Sequence, residues 1–152
     1  MIEFLFDSNG YLILTDEPVL ADRTSVEYHF GSSSVLRWDL WNSVEKLLEM
    51  LSVYSVPVVK VWLDGSFISQ KPDPNDVDIV IFISYWTFRN SREMLDKLSD
   101  SFIYLDVKWI PISDMTDDLS LAIDALERMK WFVLFSSDRN GLPKGFINLK
   151  IN

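Results

Sequence analysis

The chain has 152 residues, 48% of them hydrophobic and 24% charged, which fits one globular domain with a proper core. It has no cysteine, which excludes disulfides and thiolate metal sites, and its formal charge of −9 weighs against a broad nucleic-acid-binding face. No apolar run reaches the length of a membrane span and the N-terminus lacks the basic start of a signal peptide, so a cytoplasmic protein is expected. Six Trp and ten Phe imply an aromatic core or an apolar contact surface.

Residues 1–20 alternate loosely around Asn9-Gly10, a turn of hairpin grade. Thr24 with Glu27 three residues on is a capping-box pattern for a short helix ending near Gly31. Ser32 to Ser34 offer caps for a longer helix. There Leu36, Leu40, Trp41, Val44, Leu47, Leu48 and Leu51 form one buried stripe, and Arg37, Glu45, Lys46 and Glu49 take the wet side. Pro57 separates that helix from Val58–Leu63, a β-branched run that reads as a strand, and Val77–Ile83 reads as a second. The loop between them is too short for an ordinary crossover helix, so the two are expected to pair antiparallel.

Thr87 to Asp100 reads as a helix anchored by Phe88, Met94, Leu95 and Leu98. In the strand expected over Phe102–Ile110, Ile103, Leu105, Val107 and Trp109 share a core face, and Asp106 lies opposite beside Tyr104 and Lys108. Asp117 and Asp118 suit the start of a last helix, whose stripe is Leu119, Ile123, Leu126, Met129, Lys130 and Val133. Asn140-Gly141 breaks it, and Gly145 to Ile151 reads as a short edge strand. The order of elements predicts an α/β (α+β) fold in one domain over 1–152, with a hairpin at 1–20 and a tail at 137–152. No heptad or charge pattern demands a dimer.

The chemistry concentrates between residues 61 and 84. Gly65 and Ser66 end the first strand where a glycine permits a sharp turn and close approach to a ligand, and a short helix from Ser66 would offer free N–H groups to an anion. Asp76 and Asp78 share a strand face with Cα atoms ~6.7 Å apart. Two carboxylates that close favour a hard cation such as Mg²⁺ or Mn²⁺. The plainer reading is a solvated Pro-Asn-Asp turn.

Gly65-Ser66 followed by Asp76-Val77-Asp78 resembles the signature of the nucleotidyltransferase superfamily, which includes DNA polymerase β and the minimal nucleotidyltransferases of toxin–antitoxin pairs. The fuller string Gly65-Ser66-Phe67, Lys71-Pro72, Pro74-Asn75-Asp76-Val77-Asp78 resembles a small bacterial and phage branch of it, as does the tail from Asp138-Arg139-Asn140-Gly141 to Lys144-Gly145. That branch commonly has a glycine where this chain has Gln70.

The resemblance implies a small mixed sheet with helices on one side and a metal-dependent transfer of a nucleoside monophosphate from an NTP to a hydroxyl. It implies two Mg²⁺ or Mn²⁺ ions held by Asp76 and Asp78, and a third acid on a later strand, for which Asp106 is the only acid within Phe102–Ile110. Paired with Lys108, Asp106 reads instead as an ordinary exposed acid. Gly65 and Ser66 would contact phosphates, with Lys71, Arg139 and Lys144 as further candidates; each also reads as turn or solvated-loop chemistry. A protein acceptor fits the acidic charge better than RNA. The other reading is a catalytically weak binding module of the same fold, acting by contact as an antitoxin or defence partner.

Overall fold

In a computed structural model of the chain, which describes residues 1–151, one five-stranded mixed sheet carries the elements. The strands are β1 (Val19–Ala21), β2 (Val58–Asp64), β3 (Val77–Ser84), β4 (Leu105–Ile112) and β5 (Ile147–Leu149), in the spatial order β1-β5-β2-β3-β4. The helices are α1 (Arg23–Val26), α2 (Val35–Val53), α3 (Tyr85–Asn90), α4 (Arg92–Asp100) and α5 (Asp118–Phe135). β2 and β3 pair antiparallel, as their short loop requires, and the α3–α4 crossover makes β3 and β4 parallel. Among the described residues no helix is long and apolar enough to cross a membrane. Asn152, the end of the expected tail, lies outside the described residues.

Strand alternation divides the interior into two layers. Val61 and Leu63 of β2 and Val77, Ile79, Ile81 and Ile83 of β3 pack with Leu40, Trp41, Val44, Leu47, Leu48 and Leu51 of α2 and Leu95 and Leu98 of α4. Trp62, Val80, Phe82 and Ile110 face the other way and meet Phe135 and Phe146. The expected one-sided arrangement therefore holds for the first four helices, while the end of α5 crosses to the opposite face.

The N-terminal hairpin forms: Asp7 N–H donates to Tyr11 O at 2.8 Å, and Gly10 takes φ +79° in the turn. The helix expected from Thr24 to Gly31 is capped two residues earlier. Asp22, not Thr24, is the cap, accepting from Ser25 N–H at 2.7 Å, and the chain continues from α1 as a π-helical turn over Glu27–Gly31. Ser34 caps α2 through Arg37 N–H.

Four expectations are corrected. Ile103 precedes β4 and is exposed, so the inward face begins at Leu105. β5 is not an edge strand: it lies inside the sheet, parallel to β1 and antiparallel to β2, because β1 supplies the outer edge. Leu119, Ile123, Leu126, Met129 and Val133 of α5 are exposed, and the helix instead anchors through Trp131, Phe132 and Phe135. Arg37 is buried rather than wet.

Candidate functional site

The register of the sheet places three acids side by side. Asp64 at the end of β2 pairs with Asp78 on β3, and Asp78 pairs with Asp106 on β4. All three share the face of Trp62, Val80, Phe82 and Ile110, because each lies an even number of residues from one of them. Asp76 stands just before β3, exposed, and near enough to act on Asp78. Burial, then the charges of Asp64, Asp76 and Asp106, push the Asp78 carboxyl up to about 6.

Asp64 is the most enclosed of the four, at 2% exposure. Lys144 from the tail donates to its Oδ2 at 2.6 Å, while Oδ1 has no hydrogen-bond partner. Burial raises the Asp64 carboxyl and the Lys144 ammonium pulls it back, with burial the stronger. Trp62 Nε1 and Trp131 Nε1 are the other buried polar side-chain atoms without partners among the described residues, so every such atom lies in the layer on this face. Asp106 is half exposed and pairs with Lys108 at 3.2 Å. Its expected place beside Asp78 and its plainer reading as a lysine partner are both realised.

Gly65 sits at the lip of the cluster with φ +84° and ψ −173°, a region open essentially to glycine alone. A Cβ there would lie 2.7 Å from Asp78 Oδ2. Gly65→Ala is expected to cost about 1–3 kcal/mol in urea unfolding, mostly from the backbone, because the Asp78 carboxylate can swing aside. A loss under about 0.5 kcal/mol would show that this turn relaxes freely. Ser66 opens a short 3₁₀ turn, Ser66–Ile68, whose first N–H groups lack partners within the turn.

That turn is shaped from behind by Arg37. Its Nη1 donates to Phe30 O at 3.0 Å and Phe67 O at 2.8 Å. Its Nη2 donates to Ser69 O at 2.8 Å, to Lys71 O, and at the 3.5 Å limit to Ser66 O. The guanidinium thus gathers the carbonyls of residues 66, 67, 69 and 71 around one buried donor. Among the described residues no carboxylate pairs with it.

The N-terminal hairpin joins the motif loop to the tail. Gln70 N–H donates to Gly10 O at 2.9 Å, and Tyr11 bridges to Ser69. On the other side Tyr11 OH donates to Asp138 Oδ2 at 2.7 Å and Gly145 N–H donates to Leu12 O at 2.6 Å. The Gln70 side chain packs beside Gly10, and its backbone hydrogen bond to Gly10 fixes that end of the loop. Asp138 Oδ1 accepts from Asn140 and Leu142 N–H, which closes the turn that delivers Lys144.

Of the residues singled out in the sequence, Gly65, Ser66, Asp76, Asp78, Asp106 and Lys144 come together. Lys71 and Arg139 are exposed and make no contact with the carboxylates among the described residues. Two residues were missed. Asp64 ends an apolar strand with the parity of Trp62, which alone would have aimed it at the Asp78 face. Arg37 falls on the helical spacing of the buried stripe, at 37, 40, 41, 44 and 48.

Asp78 with three neighbouring carboxylates is a donor set of the chemistry a hard divalent cation takes. As the side chains stand, no three His, Cys, Asp or Glu among the described residues are close enough to share one ion. Lys144 and Lys108 each hold one of the acids.

Fold and site define a mixed α/β domain with a carboxylate cluster across three adjacent strands, lipped by a glycine turn. The chain belongs to DUF6932, a family of unknown function, whose model matches residues 4–150. No curated protein and no solved structure matches it.

Proposed function

We propose that the protein is a metal-dependent nucleotidyltransferase that moves a nucleoside monophosphate from an NTP to a hydroxyl of a protein or RNA and releases pyrophosphate. The observation that carries this reading is the row Asp64, Asp78, Asp106 across β2, β3 and β4, with Gly65-Ser66 at its lip. Asp76, Asp78 and Asp106 would hold Mg²⁺ or Mn²⁺, two ions in all. Bound ions would neutralise the triphosphate and acidify the attacking hydroxyl.

The residues supply the rest. The acceptor oxygen bonds to the α-phosphorus, the bond to the pyrophosphate oxygen breaks, and the hydroxyl proton passes to Asp106. Gly65 and Ser66 N–H groups and the Ser66 hydroxyl hold phosphate oxygens. Lys144, which donates to Asp64 and acts on Asp78, adds positive charge there. The −9 charge favours a protein acceptor over RNA, in a cytoplasmic toxin–antitoxin or phage-defence setting.

A second reading is a binding module of the same fold that acts by contact. It is favoured by the lysine pairing of Asp64 and Asp106 and by the separation of the carboxylates. Mass spectrometry of a co-purified partner separates the two: an added nucleotide mass supports transfer, a stable unmodified complex supports contact.

Thermal unfolding with each NTP, with and without Mg²⁺ or Mn²⁺, tests the site itself. One NTP should raise the midpoint only with metal, by about 5–10 °C near a hundredfold excess over Kd. Asp76→Asn/Asp78→Asn should abolish that rise and all transfer. No shift with any NTP, or transfer surviving in the double variant, removes the assignment.

A further inference from the structure

α5 is apolar on two faces, and the body of the protein covers only one. Trp131, Phe132 and Phe135 reach the second core layer, and Asp124 accepts from Ser113 N–H at 3.0 Å. Nearly all the rest of the helix is open. Leu119 is 70% exposed, Leu126 65% and Val133 62%, and Ile123, Met129 and Leu134 are each more than half exposed. Met115, just before the helix, extends the patch at 64%. The groove beside it, about 830 Å³, runs between α5 and the end of β4 and is floored by Pro111 and Tyr85.

A helix with an apolar face that its own domain leaves uncovered is suited to packing against a further body. Positions 119, 123, 126, 130 and 133 follow the three- and four-residue steps of a helix-packing seam, with Lys130 the one polar member. Together the exposed apolar side chains offer on the order of 700–800 Å², above the ~300–600 Å² of a typical monomer's largest patch. That is about what one partner contributes to a standard interface.

We propose that this face is covered by a second copy of the chain, with α5 against α5 and antiparallel about a two-fold axis. The area suits a two-fold interface, in which the same patch serves both copies. Charge sets the direction: the middle of α5 is balanced, with Asp124 and Glu127 against Arg128 and Lys130, while Asp117 and Asp118 make its start acidic. Parallel helices would bring Asp117 and Asp118 against their own counterparts. Antiparallel helices put the two acidic starts at opposite ends of the interface, clear of each other.

Sedimentation velocity on the full chain, from about 1 to about 100 µM, reads the association directly. The expected species has twice the 17.7 kDa chain mass. Ile123→Asp/Leu126→Asp should sediment as a monomer throughout, with unchanged circular dichroism. Because the chain has no cysteine, single-cysteine variants give an independent measurement that does not need the Asp variant to fold. Under mild oxidation Leu126→Cys should form a covalent dimer, and Lys97→Cys on α4 should not. A wild-type monomer at the highest concentration, a dimer that survives the two Asp substitutions, or equal cross-linking at both cysteines overturns the proposal. So does a monomer whose α5 face binds phosphatidylglycerol vesicles instead.

Discussion

Arg37→Ala is expected to lower the free energy of unfolding by about 3–5 kcal/mol, because several buried carbonyls lose their donor at once. For a domain whose total stability is about 5–15 kcal/mol, that is about a fifth or more, and the midpoint should fall by on the order of 10 °C. Arg37 is 3% exposed and donates to five carbonyls, those of Phe30, Ser66, Phe67, Ser69 and Lys71. Truncation leaves those oxygens without their donor, and a buried acceptor left unpaired costs about 1–3 kcal/mol. Burial lowers the guanidinium pKa, with Asp73 working weakly the other way. The residue also sits in the first turn of α2, where a cation opposes the helix dipole. The carbonyls offset both costs.

Arg37→Lys keeps the charge but loses the planar fork, so it should recover only part of the loss. Urea unfolding of the three proteins measures this. A loss below about 1 kcal/mol for Arg37→Ala would mean that water replaces the guanidinium and the loop holds itself. Since the same carbonyls fix the turn that starts at Ser66, any nucleotide-dependent rise in midpoint should shrink in Arg37→Lys by more than its stability loss explains.

The layered α/β plan was legible because its signals are periodic. The stripe of α2 and the β-branched runs of β2 and β3 name their own faces, and the short 65–76 loop names their pairing. Strand parity puts Asp106 on the face opposite Val107 and Trp109, whereas its place beside Asp78 was expected only from the resemblance. What failed was burial that runs against residue type. Arg37 and Asp64 are charged, so their spacing was outweighed by their chemistry, although the spacing was right. α5 failed in the converse way: its stripe has helical spacing and apolar residues, but periodicity says which side chains share a face and not what meets that face. β5 was misplaced because pairing partners 84 to 128 residues apart leave no local trace. Lys144 reaching Asp64 needed the same long-range closure, through the hairpin contacts of Tyr11 and Leu12.

Asp78→Asn should stabilise the protein in metal-free buffer at pH 7.5 and leave it unchanged near pH 4. The folded chain holds a proton on Asp78 up to about 6, above the ordinary 3.8. The native state therefore binds that proton more tightly than the unfolded state does. Its contribution to stability is complete below about pH 3.8 and is lost as pH rises through about 6. Above that pH the wild type carries a charge that burial and three neighbouring acids disfavour, and asparagine removes it. The full shift corresponds to about 3 kcal/mol. Partial exposure of the site screens part of it, so a gain of about 1–2 kcal/mol is expected. Unfolding in urea with a chelator present, at pH 4 and at pH 7.5, gives the comparison. Equal stability at both pH values would show that the row of carboxylates does not strain the fold. The same pair of proteins in millimolar Mg²⁺ then reports on the cluster as a cation seat. An ion bound only by the folded wild type raises its stability by mass action and narrows or reverses the gap. If the gap is unaltered, Asp78 is a strained carboxylate that magnesium does not relieve, and the contact-acting reading of the domain gains the advantage.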